Sequence, residues 1–186
     1  YKLSKDYQSG PLSFEYFIDN EKIITNSGYG RKISKKIRLI SKLTSAQSTL
    51  CLNNTSVVKF KRNNIINKAY GSTIDENFKI SDVKRVEDNT KIFVTGTHDA
   101  YLKNYGYLHR REINLQKKEN IINGRDTLIK KNDQSNDEIH FSIRFHIYPG
   151  IEVFPTVGGD NILLQIVKNN SLIFSSNDRN LKIEKG

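Results

Sequence analysis

His140-Phe141-Ser142-Ile143-Arg144-Phe145-His146-Ile147-Tyr148 alternates without a break. Phe141, Ile143, Phe145 and Ile147 fall on one face, and His140, Ser142, Arg144 and His146 on the other. A period of two is the mark of a half-buried strand. Pro149-Gly150 then ends it. Downstream, Gly158-Gly159-Asp160 turns into a strand over 162–167, and Ser171 to Phe174 returns beside it. Upstream, Leu12 to Ile18 alternates, Asp19-Asn20 makes a turn, and 22–25 pairs back as a hairpin. Further short strands are expected at 49–52, 57–61 and 65–69, and at 91–95, closed by Gly96. Others follow at 107–115 and 119–122, with Asn123-Gly124 as a turn. The 70–85 segment reads mostly as loop, with a short strand possible only at 78–80. No amphipathic helix stands out. About a dozen short strands with close turn signals predict an all-β chain, an antiparallel β-sandwich with little or no helix.

The 186 residues fit one domain over 1–186. Hydrophobic residues are 36% and charged residues 27%, which suits a globular domain with a modest core. A net charge of +10 predicts attraction to polyanions: nucleic acid, an anionic polysaccharide or an anionic surface. No aliphatic run approaches the ~20 residues of a spanning helix. The chain lacks Met even at position 1, so it is expected to begin inside a longer protein. Cys51 lies in the apolar run Thr49-Leu50-Cys51-Leu52 and is expected to be a buried, inert thiol.

Chemistry concentrates in Thr97-His98-Asp99-Ala100-Tyr101 and Tyr105-Gly106-Tyr107-Leu108-His109-Arg110-Arg111. If 107–115 is a strand, Tyr107, His109 and Arg111 share one face and Arg110 points to the other, so only one arginine can line a groove. Arginine suits carboxylate or sulfate because its planar fork binds two oxygens at once. His98 and His109 could equally be hydrogen-bonded inside the sheet, fixing the loop between two strands. The basic run Arg31, Lys32, Lys35, Lys36, Arg38 and Lys42 is either a solvated face or part of a polyanion groove.

At His98-Asp99-Ala100-Tyr101, Tyr105-Gly106, His109-Arg110-Arg111 and Gly124-Arg125-Asp126-Thr127-Leu128, the chain resembles the C-terminal region of heparinase II/III-like proteins. Gly10-Pro11-Leu12-Ser13-Phe14-Glu15, Thr44-Ser45-Ala46-Gln47-Ser48-Thr49-Leu50 and Phe141 to His146 agree in the same order. The resemblance implies the sandwich domain of a polysaccharide lyase, with an N-terminal α/α toroid elsewhere in the parent protein. It also implies an acidic, uronic-acid-containing polysaccharide, a glycosaminoglycan or polyuronate, as partner. The implied origin is bacterial, and the implied location is periplasmic or secreted. The implied chemistry is β-elimination, which needs a neutralised carboxylate, a base at the C5 hydrogen and an acid at the leaving oxygen. Most of that apparatus belongs to the toroid.

Two departures bear on catalysis. Gln8 stands where the family's sandwich histidine belongs, and Gln47 replaces the histidine of the Ala-His-Ser-Thr segment. Glutamine hydrogen-bonds but exchanges no proton near neutrality. Some family members hold a structural zinc; Asn26 occupies the place of one carboxylate ligand, so no metal and no other cofactor is expected. His98, Tyr101, His109, Arg111, Arg144 and His146 are the expected substrate-binding residues. His140 and His146 share a strand face but stand ~20 Å apart by strand rise, too far to ligate one metal. Besides a lyase domain, a non-catalytic carbohydrate-binding or structural module remains open, and Gln8 and Gln47 favour it. A nucleic-acid-binding domain rests on charge alone and ranks last, since no recognition motif accompanies it.

Overall fold

The structure, a computed structural model, describes residues 7–28, 34–60, 74, 77–131, 138–167, 170–178 and 180–185. It is all-β and antiparallel, sandwich-like, with very little helix, as the alternation predicts. The expected strand at 65–69, position 61 of the strand expected at 57–61, and the start of the basic run lie outside the described residues; residues 57–60 form no strand, and Phe60 makes only an isolated bridge with Ile74. The chain divides into two compact units: Tyr1–Phe14 with Asn26–Phe145, and Glu15–Thr25 with His146–Gly186.

The smaller unit begins with the expected hairpin. Strand β1 (Tyr16–Ile18) pairs with β2 (Glu21–Thr25) around Asp19 and Asn20, whose φ values of 47° and 68° are those the tight turn demands. Ile23 and Ile24 of β2 are buried. Strand β9 (His146–Ile147) joins β2 on its other side, and β10 (Glu152–Pro155), β11 (Asn161–Val167) and β12 (Asn170–Ser175) form a meander. Gly158 and Gly159, with φ of 97° and 75°, make the β10–β11 turn that a side chain would strain.

The larger unit contains helix α1 (Lys35–Ile40), β3 (Leu50–Leu52), β4 (Ile80–Glu87), β5 (Lys91–His98), the helical turn α2 (Leu102–Tyr105), β6 (Tyr107–Gln116), β7 (Ile121–Lys130) and β8 (Phe141–Ile143). Strands β4 to β7 form one antiparallel sheet in chain order, and β3 pairs with β8. The core gathers Leu50, Leu52, Val57, Val58, Ile74 and Tyr101. Cys51 is buried there, as its apolar run predicts, and burial raises its thiol pKa.

Five local expectations are corrected. The 80–87 segment is strand: its sequence Ile-Ser-Asp-Val-Lys-Arg-Val-Glu lacks an apolar face because β4 is an edge strand exposed along nearly its whole length. Asn123-Gly124 is no turn but the middle of β7, opposite Asn114 and Ile113; the turn comes earlier, at residues 117–120. Gly96 does not close β5, which continues to His98. Its missing Cβ makes room for Leu12, whose Cδ2 would lie 2.9 Å from a Cβ there. The basic run holds a helix, α1, capped by Ser34 Oγ accepting the Ile37 N–H. Its Ile37, Leu39 and Ile40 are all exposed, so no amphipathic pattern announces it. Finally, 140–148 is not one strand. It breaks at Arg144-Phe145 into β8 and β9, which pair with β3 and β2 respectively, and Phe141 and Ile143 are exposed.

Candidate functional site

The register of the four-stranded sheet places the strand residues of the 97–111 stretch. His98 pairs with His109, Gly96 with Arg111, and Arg111 with Asp126 on the next strand. The inner face therefore carries a row of polar side chains. His98, His109 and Arg111 are only 1%, 0% and 4% exposed. Such burial demands complete partnering, and the partners are present.

The hydrogen bonds form one directed chain. His98 Nδ1 accepts the Ala100 N–H at 3.3 Å, so its proton sits on Nε2. Nε2 donates to His109 Nδ1 at 2.9 Å, and His109 Nε2 then donates to Asp126 Oδ1 at 2.6 Å. Both imidazoles are thereby fixed as neutral tautomers. Arg111 meets the same carboxylate with two prongs, Nε to Oδ1 at 2.8 Å and Nη2 to Oδ2 at 3.0 Å. Its Nη1 donates to the carbonyls of Ser48 at 2.8 Å and Leu12 at 3.1 Å. Leu12 has φ of 56°, which a leucine adopts at a cost of roughly 1–2 kcal/mol. Arg111 thus ties two remote loops, one of them strained, to the sheet.

The electrostatics follow from this geometry. Burial first, then the proximity of His109 and the Arg111 guanidinium, pushes His98 from 6.5 down to about 3. Burial alone would raise the Asp126 pKa, but hydrogen bonds from His109 and Arg111 outweigh it and hold it below 3.8. Tyr101 is equally interior: its hydroxyl donates to the Leu50 carbonyl at 2.9 Å, and burial pushes its pKa well above the phenolic range. Its ring packs against His98 with centroids 5.4 Å apart.

Of the expected substrate-binding residues, His98, His109, Arg111 and Tyr101 come together in this interior. Arg144 and His146 do not join them. Arg144 follows β8 in the larger unit, and its N–H donates to the Thr49 carbonyl at 3.1 Å. His146 lies in β9 of the smaller unit, opposite Thr25. Asp126, the centre of the network, is not among the residues that sequence reasoning picks for a site, although its motif is visible. Its signal is an acidic residue on a strand facing two basic ones.

Gln47 is buried at the turn before β3. Its Nε2 donates to the Ser41 carbonyl at 2.8 Å, and Gly10 leaves just enough room, since a Cβ there would lie 2.8 Å from Gln47 Cγ. Asn26 Oδ1 accepts the Ser48 N–H at 2.8 Å. Nearby in the same unit Ser9, Thr44 and Ser56 link three segments, with Ser9 Oγ and Thr44 Oγ1 2.9 Å apart.

A family model, Heparinase II/III-like, C-terminal, matches residues 1–186. The chain belongs to the heparinase II/III-like C-terminal family. The family has a general association with polysaccharide lyases. Comparison with curated proteins gave no match, and neither did comparison with solved structures. The structural zinc of some family members does not fit here, because Asn26, at the place of one carboxylate ligand, is a neutral amide whose Oδ1 accepts the Ser48 N–H. Among the described residues no three His, Cys, Asp or Glu side chains are grouped to hold a metal ion. No described helix is long and apolar enough to cross a membrane.

Proposed function

We propose that residues 1–186 are the sandwich domain of a heparinase II/III-like polysaccharide lyase, contributing to the binding and β-elimination cleavage of an acidic, uronic-acid-containing polysaccharide. The observation that carries this is the family match along the whole chain, through both compact units. The net charge of +10 supports an anionic partner. In this reading the toroid of the parent protein supplies the base, and the domain supplies a rigid wall and cationic contacts. The buried His98–His109–Asp126–Arg111 row acts as a positioning device, because its tautomers and its burial leave no side chain free to exchange a proton with substrate.

Gln47 supports a second reading, a non-catalytic carbohydrate-binding module. Its amide is locked onto Ser41 where a catalytic group would need freedom and a titratable proton. One experiment separates the two. The parent protein and this chain are incubated with a panel of glycosaminoglycans and polyuronates, and ultraviolet absorbance of unsaturated products is followed. Product from the parent alone supports the lyase reading. Binding without product from either supports the module, and neither product nor binding overturns both.

A further inference from the structure

We propose that the outer face of the four-stranded sheet binds a uronate-bearing segment of the polysaccharide, with Arg110 taking the carboxylate. This rests on the acidic-glycan reading above and names where the glycan sits.

The face opposite the buried network carries an open groove of about 480 Å³, within the range of roughly 300–1,000 Å³ typical of ligand clefts. A β-bulge between Ser81 and Lys84 builds its lip. There Asp82, with φ of 53°, turns outward beside Val83. Bulges re-aim side chains at sites in this way. The floor is Phe93 and Thr95 of β5, with Arg110 and Glu112 of β6 alongside. An open groove suits a polymer that must run through it.

The polar groups on this face are short of partners, in contrast to the inner face. Arg110 Nε donates to Thr97 Oγ1 at 3.2 Å, but Nη2 stops 3.7 Å from Asp82 Oδ2, beyond hydrogen-bond reach. The two groups form an exposed ion pair without a hydrogen bond, and most N–H groups of the Arg110 fork carry none. Among the described residues Lys84 and Glu112 form no ion pair, although both flank Thr95 in the register. Thr95 Oγ1 and Asn114 Oδ1 are shut off from solvent with no hydrogen-bond partner. Orphaned polar atoms cost roughly 1–3 kcal/mol each and are few in native proteins.

The chemistry selects that partner. The Arg110 fork and the Lys84 ammonium match a carboxylate, Glu112 matches ring hydroxyls, and the Phe93 ring offers an apolar surface to a sugar face. A neutral glycan would leave the cations unanswered. A wholly anionic surface would meet repulsion from Asp82 and Glu112.

The test is calorimetric titration of the full chain with tetragalacturonate and a heparin-derived tetrasaccharide, with cellotetraose as the uncharged control. Wild type, Arg110→Gln and Thr95→Val are compared, each with its urea midpoint. Expected is binding of an acidic tetrasaccharide in preference to cellotetraose, weakened about tenfold or more by Arg110→Gln. Thr95→Val should keep the binding while raising the urea midpoint, because it removes an orphaned hydroxyl that no ligand reaches. If wild type binds an acidic tetrasaccharide and Arg110→Gln binds it equally well, the groove is the wrong place while the acidic-glycan reading stands. If wild type shows no preference for the acidic ligands, the reading and this inference fall together.

Discussion

Arg110 and Arg111 are neighbours in the chain and belong to opposite faces of one sheet. Arg111 is sealed inside with four of its five N–H groups answered, by a bidentate carboxylate and two loop carbonyls. Arg110 stands 41% exposed over a groove, with one hydrogen bond and a distant carboxylate. Strand geometry alone makes the difference, since alternate residues face opposite ways. Identical chemistry therefore serves as a clamp on one face and as one half of an exposed ion pair on the other. A densely hydrogen-bonded polar interior specifies geometry; the outer face is held by fewer and longer polar contacts.

The largest effect should come from removing the hub of the inner face. Asp126→Ala leaves the Arg111 guanidinium buried without its carboxylate and His109 Nε2–H without an acceptor. A loss of roughly 3–5 kcal/mol is expected, read from the urea midpoint. No measurable loss would mean that the inner network is not what holds the Leu12 and Ser48 loops to the sheet.

Acid should dismantle the same face. Above the ordinary histidine value of 6.5, His98 is neutral both folded and unfolded, and pH has no leverage through it. Between 6.5 and about 3 only the unfolded chain takes up the proton, so stability falls as pH falls. The slope is about 1.4 kcal/mol per pH unit for one proton. Asp126, also depressed, adds its own loss further down as it finally protonates. Thermal melts across this window should show the decline, and His98→Gln should flatten its upper part. An unchanged slope in that variant would show that the decline has another source than His98.

A smaller loss is expected at Tyr101→Phe. Removing the hydroxyl leaves the Leu50 carbonyl unanswered in the core, at about 1–3 kcal/mol. A variant as stable as wild type would show that water reaches that carbonyl. The smallest effect has the opposite sign. Gly124 lies on the inner face beyond the network, in mid-strand, and a Cβ added to it would meet nothing within 4 Å. Gly124→Ala should raise stability by about 0.5–1 kcal/mol, because glycine in a strand interior costs backbone entropy. A destabilised Gly124→Ala would mean that this end of the face is covered.

Much of this contrast is legible in the sequence, and the gaps have physical causes. The alternation of 107–115 already puts Arg110 and Arg111 on opposite faces. Which face is interior depends on β4 and on the Leu12 loop, and neither can be read locally. Strand β4 carries no apolar period because it is an exposed edge, so sequence alone does not place Asp82 and Lys84 beside Arg110. Nor can His98 be matched to His109 without the 99–106 connection, where α2 and the left-handed Gly106 (φ 77°) set the register. The 140–148 stretch keeps a perfect period through a break, because a chain can leave one sheet for another without changing its alternation. Gln8, Gln47 and Asn26 are visible as departures from the family pattern, yet only the structure reveals Gln47 and Asn26 hydrogen-bonded to backbone.

The two-faced sheet is tested by a paired urea denaturation of Arg111→Gln and Arg110→Gln. A loss of about 3–5 kcal/mol is expected for Arg111→Gln, which strands a buried carboxylate, and a change within about 0.5 kcal/mol for Arg110→Gln, a surface substitution. Equal losses in the two variants, or a larger loss at Arg110, would contradict the assignment of clamp and exposed cation to opposite faces.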